Sequence, residues 1–68
     1  MTIHLTVNGK PREIDREMDL PEFLRELSVD ERLVAVAYNG DVIPRGEYAR
    51  IRLHAGDTLE IVRMVGGG

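Results

Sequence analysis

The chain of 68 residues has no cysteine, a single serine and two histidines, and these shortages exclude a good deal of chemistry. Without cysteine there is no disulfide, no thiolate zinc or iron–sulfur ligation and no thiol nucleophile. The fold is expected to rest on packing alone, in a reducing compartment, read here as the cytoplasm. Ser28 has only His4 and His54 to serve it, on a strand's polar side and beside a turn, so no Ser-His-acid set assembles. Neither histidine marks a metal site, and no metal or permanently bound cofactor is expected. The longest wholly apolar run, Leu33 to Tyr38, is six residues, whereas a membrane helix needs about twenty. The N-terminus has no charged-then-apolar export pattern. A net charge of −3 disfavours nucleic acid, whose phosphates demand the opposite sign. With this length and 43% hydrophobic residues, one small soluble domain is expected.

Thr2 to Val7 alternates strictly, with Ile3, Leu5 and Val7 on one side, as a half-buried strand requires. Asn8-Gly9 then predicts a tight hairpin, with Pro11 to Asp15 returning antiparallel and Ile14 facing the core. At Asp19 the period changes from strand to helix, because Leu20, Phe23, Leu24 and Leu27 share one helical stripe. Asp19 and Glu22 form a capping-box pattern, and Pro21 suits the first turn. Leu33 to Tyr38 reads as a strand with Val34, Val36 and Tyr38 inward and Ala35 and Ala37 outward, closed by Asn39-Gly40. Asp41 to Ile43 is a short pairing segment, Glu47-Tyr48 a single turn, and Ile51 to Leu53 another extended piece. Thr58 to Val65 is the last strand, with Leu59 and Ile61 inward and Glu60, Val62 and Met64 on the opposite face. Acids gather around the helix, where residues 13–32 carry eight of the twelve.

This order, ββαββ with a long connection before the final strand, predicts an α+β fold of the β-grasp, ubiquitin-like kind. One mixed sheet of four to five strands packs on the helix, the first and last strands lying parallel at its centre through a right-handed crossover. Residues 1–65 form the domain and Gly66-Gly67-Gly68 a flexible tail. Three glycines forfeit side-chain packing, and a chain without Cβ atoms passes through a channel that rejects other residues. Such a tail delivers the Gly68 carboxylate, ionised at neutral pH and a poor electrophile until another protein activates it. Val62, Arg63 and Met64 lead into the tail; Val62 and Met64, beside Ala35 and Ala37, predict an apolar docking patch, rimmed by Arg45, Arg50, Arg52 and Arg63.

The stretch from Leu59 through Met64 to Gly68, with Val7-Asn8-Gly9, Asn39-Gly40 and Ile43-Pro44-Arg45 followed by Tyr48, resembles the ThiS family of sulfur carriers in thiamin (thiazole) biosynthesis. The resemblance spans the whole chain; methionine at position 64, where the family often has an aromatic, keeps the patch apolar. It implies a cosubstrate rather than an enzyme. A ThiF-type, E1-like adenylyltransferase consumes ATP and magnesium to adenylate the carboxylate of Gly68, with Gly66 and Gly67 threading the partner's active site. A persulfide derived from cysteine desulfurase then yields a C-terminal thiocarboxylate, and a ThiG-type thiazole synthase receives the sulfur. A molybdopterin or tRNA-thiolation carrier, a ubiquitin-like protein modifier and a plain interaction module remain alternatives on the residues alone.

Overall fold

The computed structural model describes residues 2–64. Five strands form one mixed sheet in the order β2-β1-β5-β3-β4: β1 (Ile3–Val7), β2 (Lys10–Ile14), β3 (Val34–Tyr38), β4 (Asp41–Val42) and β5 (Thr58–Arg63). One helix, α1 (Leu20–Glu26), falls between β2 and β3. The α+β, β-grasp architecture is therefore the one the pattern predicts, and the Asp41 segment supplies the fifth strand. β1 and β5 are parallel neighbours at the sheet's centre, aligned at Thr6↔Thr58 and Val7↔Leu59. β3 flanks β5 antiparallel over its whole length, from Tyr38↔Leu59 to Val34↔Arg63.

Both hairpins turn on the same dipeptide. Asn8 (φ 52°) and Gly9 (φ 80°) close β1–β2, and Asn39 (φ 50°) and Gly40 (φ 92°) close β3–β4, each pair left-handed as a two-residue turn between right-twisted strands requires. The return strand starts at Lys10, one residue earlier than expected, because a two-residue turn sets Lys10 directly opposite Val7.

The helix begins just after Asp19, which is still extended (φ −80°, ψ 165°) and whose carboxylate accepts the N–H of Glu22 at 2.9 Å. Seven residues are too few to be stable in isolation. Leu20, Phe23 and Leu24 are instead buried among Ile3, Leu5, Val36 and Leu59 of the sheet. Leu27, the fourth residue of the apolar stripe, caps the helix and stays half-buried. Leu33 departs from the expected strand: it ends a 3₁₀ turn (Glu31–Leu33) begun by the Asp30 side chain, which accepts the Arg32 N–H. A longer 3₁₀ segment (Arg45–Arg50) replaces the predicted single turn and buries Tyr48, whose hydroxyl donates to the Val34 carbonyl at 3.1 Å. Met18, in an acidic stretch without periodicity, also belongs to the core.

Two polar side chains lock the central strand. The Asn8 amide meets Ile61 as a strand would, accepting its N–H at 2.8 Å and donating to its carbonyl at 3.1 Å, while the Asn8 N–H bonds the Leu59 carbonyl. At the other end of β5, Asp57 is the buried carboxylate among the described residues. It accepts from the Tyr38 hydroxyl at 2.7 Å, the His54 N–H at 2.8 Å and the Asn39 amide at 3.2 Å. Burial pushes its pKa up, but these three donors outweigh that and hold it below the ordinary carboxylate value. The Tyr38 hydroxyl, desolvated and facing Asp57, is pushed up to about 12.

Asn8→Gly keeps the left-handed backbone but loses the amide, and should cost about 1 kcal/mol and speed hydrogen exchange at the Ile61 N–H; unchanged exchange there would show that the amide does not hold the strand. A depressed carboxyl pKa contributes stability above the unfolded value of about 3.9, and that contribution disappears as pH falls through the folded value. Asp57→Asn should therefore be less stable than wild type by about 1–3 kcal/mol near neutrality, with the gap closing as pH drops below about 4. Urea midpoints measured across that range check it, and a gap independent of pH contradicts it.

Candidate functional site

The predicted site lies at the C-terminal end of β5, and antiparallel pairing with β3 fixes what surrounds it. Residues directly opposite one another in an antiparallel pair share a face. Val62 stands against Ala35, and Glu60 against Ala37, on the face turned away from the helix. Ala37 in turn faces Val42 of β4. One step beyond β5, the Met64 N–H bonds the Leu33 carbonyl at 2.9 Å, prolonging the ladder. Val62 is 61% exposed, Met64 48%, Leu33 52% and Val42 77%, so four large apolar side chains stand in water around two alanines. Scattered apolar residues are ordinary on a surface, but a contiguous group beside the end of a central strand has the character of a contact surface.

Val62 and Met64 thus come together as the alternation predicts, and Ala35 and Ala37 lie with them. Leu33 and Val42 are additions. Leu33 belongs to a 3₁₀ turn rather than to the strand's alternation, and it meets the end of β5 through the bond from the Met64 N–H to its carbonyl, which no local pattern encodes; Val42 carried no signal either, being in a strand of two residues.

Arg63 does not join the patch. The same alternation turns its side chain to the helix side, where it lines a groove with Val34 and Ile61. Of the other expected rim arginines, Arg45 stands beside Met64 and donates to the Arg32 carbonyl at 2.8 Å. Arg50 pairs with Glu47 at 3.8 Å. Arg52 belongs elsewhere, lying opposite Asp19 and 3.8 Å from Glu17, because the segment after Arg50 turns back to the start of α1. Gly66, Gly67 and Gly68, expected to carry the reacting end, lie outside the described residues, as does Val65.

The remaining candidates for chemistry sit in ordinary surroundings. His4 is 3.6 Å from Glu13 across the β1–β2 pair, with both side chains largely in water. His54 lies 3.9 Å from Glu17 and 4.0 Å from Asp57, at the turn before β5. Ser28 follows the helix in a left-handed conformation (φ 61°), its N–H bonded to the Arg25 carbonyl. Among the described residues, no three His, Asp or Glu side chains gather where they could hold a metal ion. No described helix is long and apolar enough to cross a membrane.

Comparison with known proteins agrees with this geometry. The chain is similar to the crystal structure of a thiamine biosynthesis protein (ThiS) from Geobacter metallireducens, with a TM-score of 0.84 and 35% identity over 97% of this chain and 100% of that one. It is 42% identical over 64 residues to a thiazole synthase of Paramagnetospirillum magneticum, covering 94% of this chain and 20% of the relative. It is 37% identical over 68 residues to a thiazole synthase of Magnetococcus marinus, covering 100% of this chain and again 20% of the relative. The chain thus spans about a fifth of the length of these curated relatives. The sequence profile of the ThiS family matches residues 5–68, from within β1 through the final glycine, and the chain belongs to the ThiS family.

Proposed function

We propose that this protein is a sulfur carrier of thiamin biosynthesis, a cosubstrate whose reacting atom is the carboxyl carbon of Gly68. The observation that carries the reading is the family match, which runs through the three glycines, on a fold that puts β5 at the sheet's centre and directs its end toward them. A central strand, bonded on both sides, is a firm base for a terminus that partners must grip.

The chemistry follows from what a carboxylate cannot do. It resists nucleophiles, so an E1-like adenylyltransferase of the ThiF type joins it to the α-phosphate of ATP, with magnesium and loss of pyrophosphate, and the carbonyl becomes electrophilic. The terminal sulfur of a persulfide derived from cysteine desulfurase then bonds to that carbon as AMP leaves. Cleavage of the sulfur–sulfur bond by a thiol leaves the thiocarboxylate. A ThiG-type thiazole synthase takes the sulfur into the thiazole ring and returns the carrier as carboxylate. The likeness to thiazole synthases supports a partner of that kind. Rate acceleration resides in the partners, which orient the tail and preorganise charge around the adenylate. The carrier contributes recognition through Val62 and Met64 and reach through its last four residues, at most about 14 Å when extended.

Three measurements test the reading. Gly67→Val should fold as wild type does yet lower ATP–pyrophosphate exchange with the cognate adenylyltransferase by at least about 100-fold, equivalent to about 2.7 kcal/mol; normal exchange would refute the narrow-channel argument. Val62→Asp, which places a charge in the apolar patch opposite Ala35, should raise KM for the carrier about tenfold or more, or about 1.4 kcal/mol. Protein purified from its own cells should include a species heavier by about 16 Da, with fragmentation placing the added mass on the C-terminal residue and not on a methionine. A terminus that never carries it would remove the sulfur-carrier reading.

A further inference from the structure

On the helix side of β5, behind the apolar patch, lies an open groove of about 400 Å³. Its floor is aliphatic, formed by Val7, Leu27, Val29 and Ile61, all half-buried at the end of the core. Its rim is cationic. Lys10 and Arg12 reach it from β2 and Arg63 from β5. Arg16, Arg32, Arg50 and Arg52 each face a carboxylate, but these three face none among the described residues. A chain of net charge −3 therefore gathers three cations, without counter-charges among the described residues, beside the strand that leads to the glycines.

The main chain adds a third feature. Along this edge of β5, Asn8 takes the Leu59 carbonyl and both main-chain groups of Ile61. The next outward-facing pair, the N–H and C=O of Arg63, falls beyond the end of β1, whose pairing with β5 stops at Leu59. Among the described residues, one strand-type rung is thus open above an aliphatic floor between cations. A bare phosphate does not match a floor of four aliphatic side chains. An extended peptide does: its main chain meets the Arg63 rung, an aliphatic side chain covers the floor, and flanking Asp or Glu side chains meet Lys10, Arg12 and Arg63.

Resting on the sulfur-carrier reading, we infer that this groove receives an extended acidic segment of the adenylylating partner, a second grip on the side of β5 opposite the apolar patch. Charge chooses between the partners. In the thiazole synthase relatives, carrier-like sequence makes up a fifth of the synthase chain itself, so in those proteins that encounter is intramolecular and needs little steering. The encounter with the activating enzyme is between separate molecules, and opposite charge raises its rate.

The test uses the full-length carrier and its cognate adenylyltransferase in ATP–pyrophosphate exchange, with KM for the carrier measured at low and high salt. The double variant Lys10→Glu/Arg12→Glu, with folding checked by its amide NMR spectrum, should raise KM at least about tenfold, leave kcat within about twofold and flatten the salt dependence. Arg25→Glu, on an exposed cation outside the groove, reverses one charge as Lys10→Glu or Arg12→Glu alone does; it controls for net charge against those single variants and should leave KM within about twofold. A double variant with wild-type KM overturns the groove while leaving the carrier reading intact. Equal losses in the single variants Lys10→Glu, Arg12→Glu and Arg25→Glu overturn it too, showing net charge alone at work. Intact exchange with lost binding to thiazole synthase assigns the groove to the other partner and overturns the inference as stated. Wild type that supports no exchange at all overturns the carrier reading and the groove with it.

Discussion

Everything this molecule presents to a partner depends on the anchoring of β5. On one side β3 pairs with it along its full length; on the other, β1 reaches only Thr58 and Leu59 before its hairpin turns away. The Asn8 side chain fills the gap, standing in for the strand residue that the turn removes. Its left-handed backbone serves the hairpin and its amide serves the strand, so one residue meets two needs that no aliphatic side chain could meet together. Asn39 repeats the solution at the second hairpin, where its carbonyl oxygen accepts the Thr58 N–H and its amide donates to Asp57. The two asparagines thus fix β5 from Thr58 to Ile61, and with it the faces of Val62 and Arg63.

That fixation sorts consecutive residues into opposite roles. Val62 and Met64 open to solvent on the sheet's outer face beside Ala35, while Arg63 turns to the helix side with Lys10 and Arg12. In sequence the three residues look like one docking segment; the pleat separates them into an apolar surface and a charged one. Acids around α1 pair with arginines outside the groove, as Glu22 and Asp15 do with Arg16, Asp30 with Arg32 and Glu17 with Arg52, and among the described residues none pairs with the groove's cations.

Much of the architecture was legible because its determinants are local. Asn-Gly at positions 8–9 and 39–40 dictates two hairpins, the Leu20-Phe23-Leu24 stripe dictates a helix needing a sheet, and the alternation of Leu59 and Ile61 with Glu60 and Val62 gives β5 its two faces. What was not legible joins residues far apart in the chain. Asn8 and Ile61 are 53 residues apart, and Tyr38 and Asp57 are 19 apart; no periodicity encodes such partners. Met18 is buried although its neighbours Asp15, Arg16, Glu17 and Asp19 are polar, because the main chain there bonds to Leu53 and needs an apolar side chain beneath it. Arg52 was misplaced for a similar reason: the return of the chain to Asp19 is tertiary and leaves no local trace. At the site, the apolar pair Val62 and Met64 followed from alternation alone, whereas the groove needed four separate segments to be brought together.

The parallel alignment of β1 and β5 has a mechanical consequence. Traction applied along β5 by a molecule that grips its end loads the bonds to both neighbouring strands sideways and simultaneously, in shear. An edge strand pulled away from its neighbour would instead peel, one bond failing after another. A handle built into the middle of the sheet lets the domain bear tension at its end without being unravelled, and the small core need supply no additional strength for that purpose.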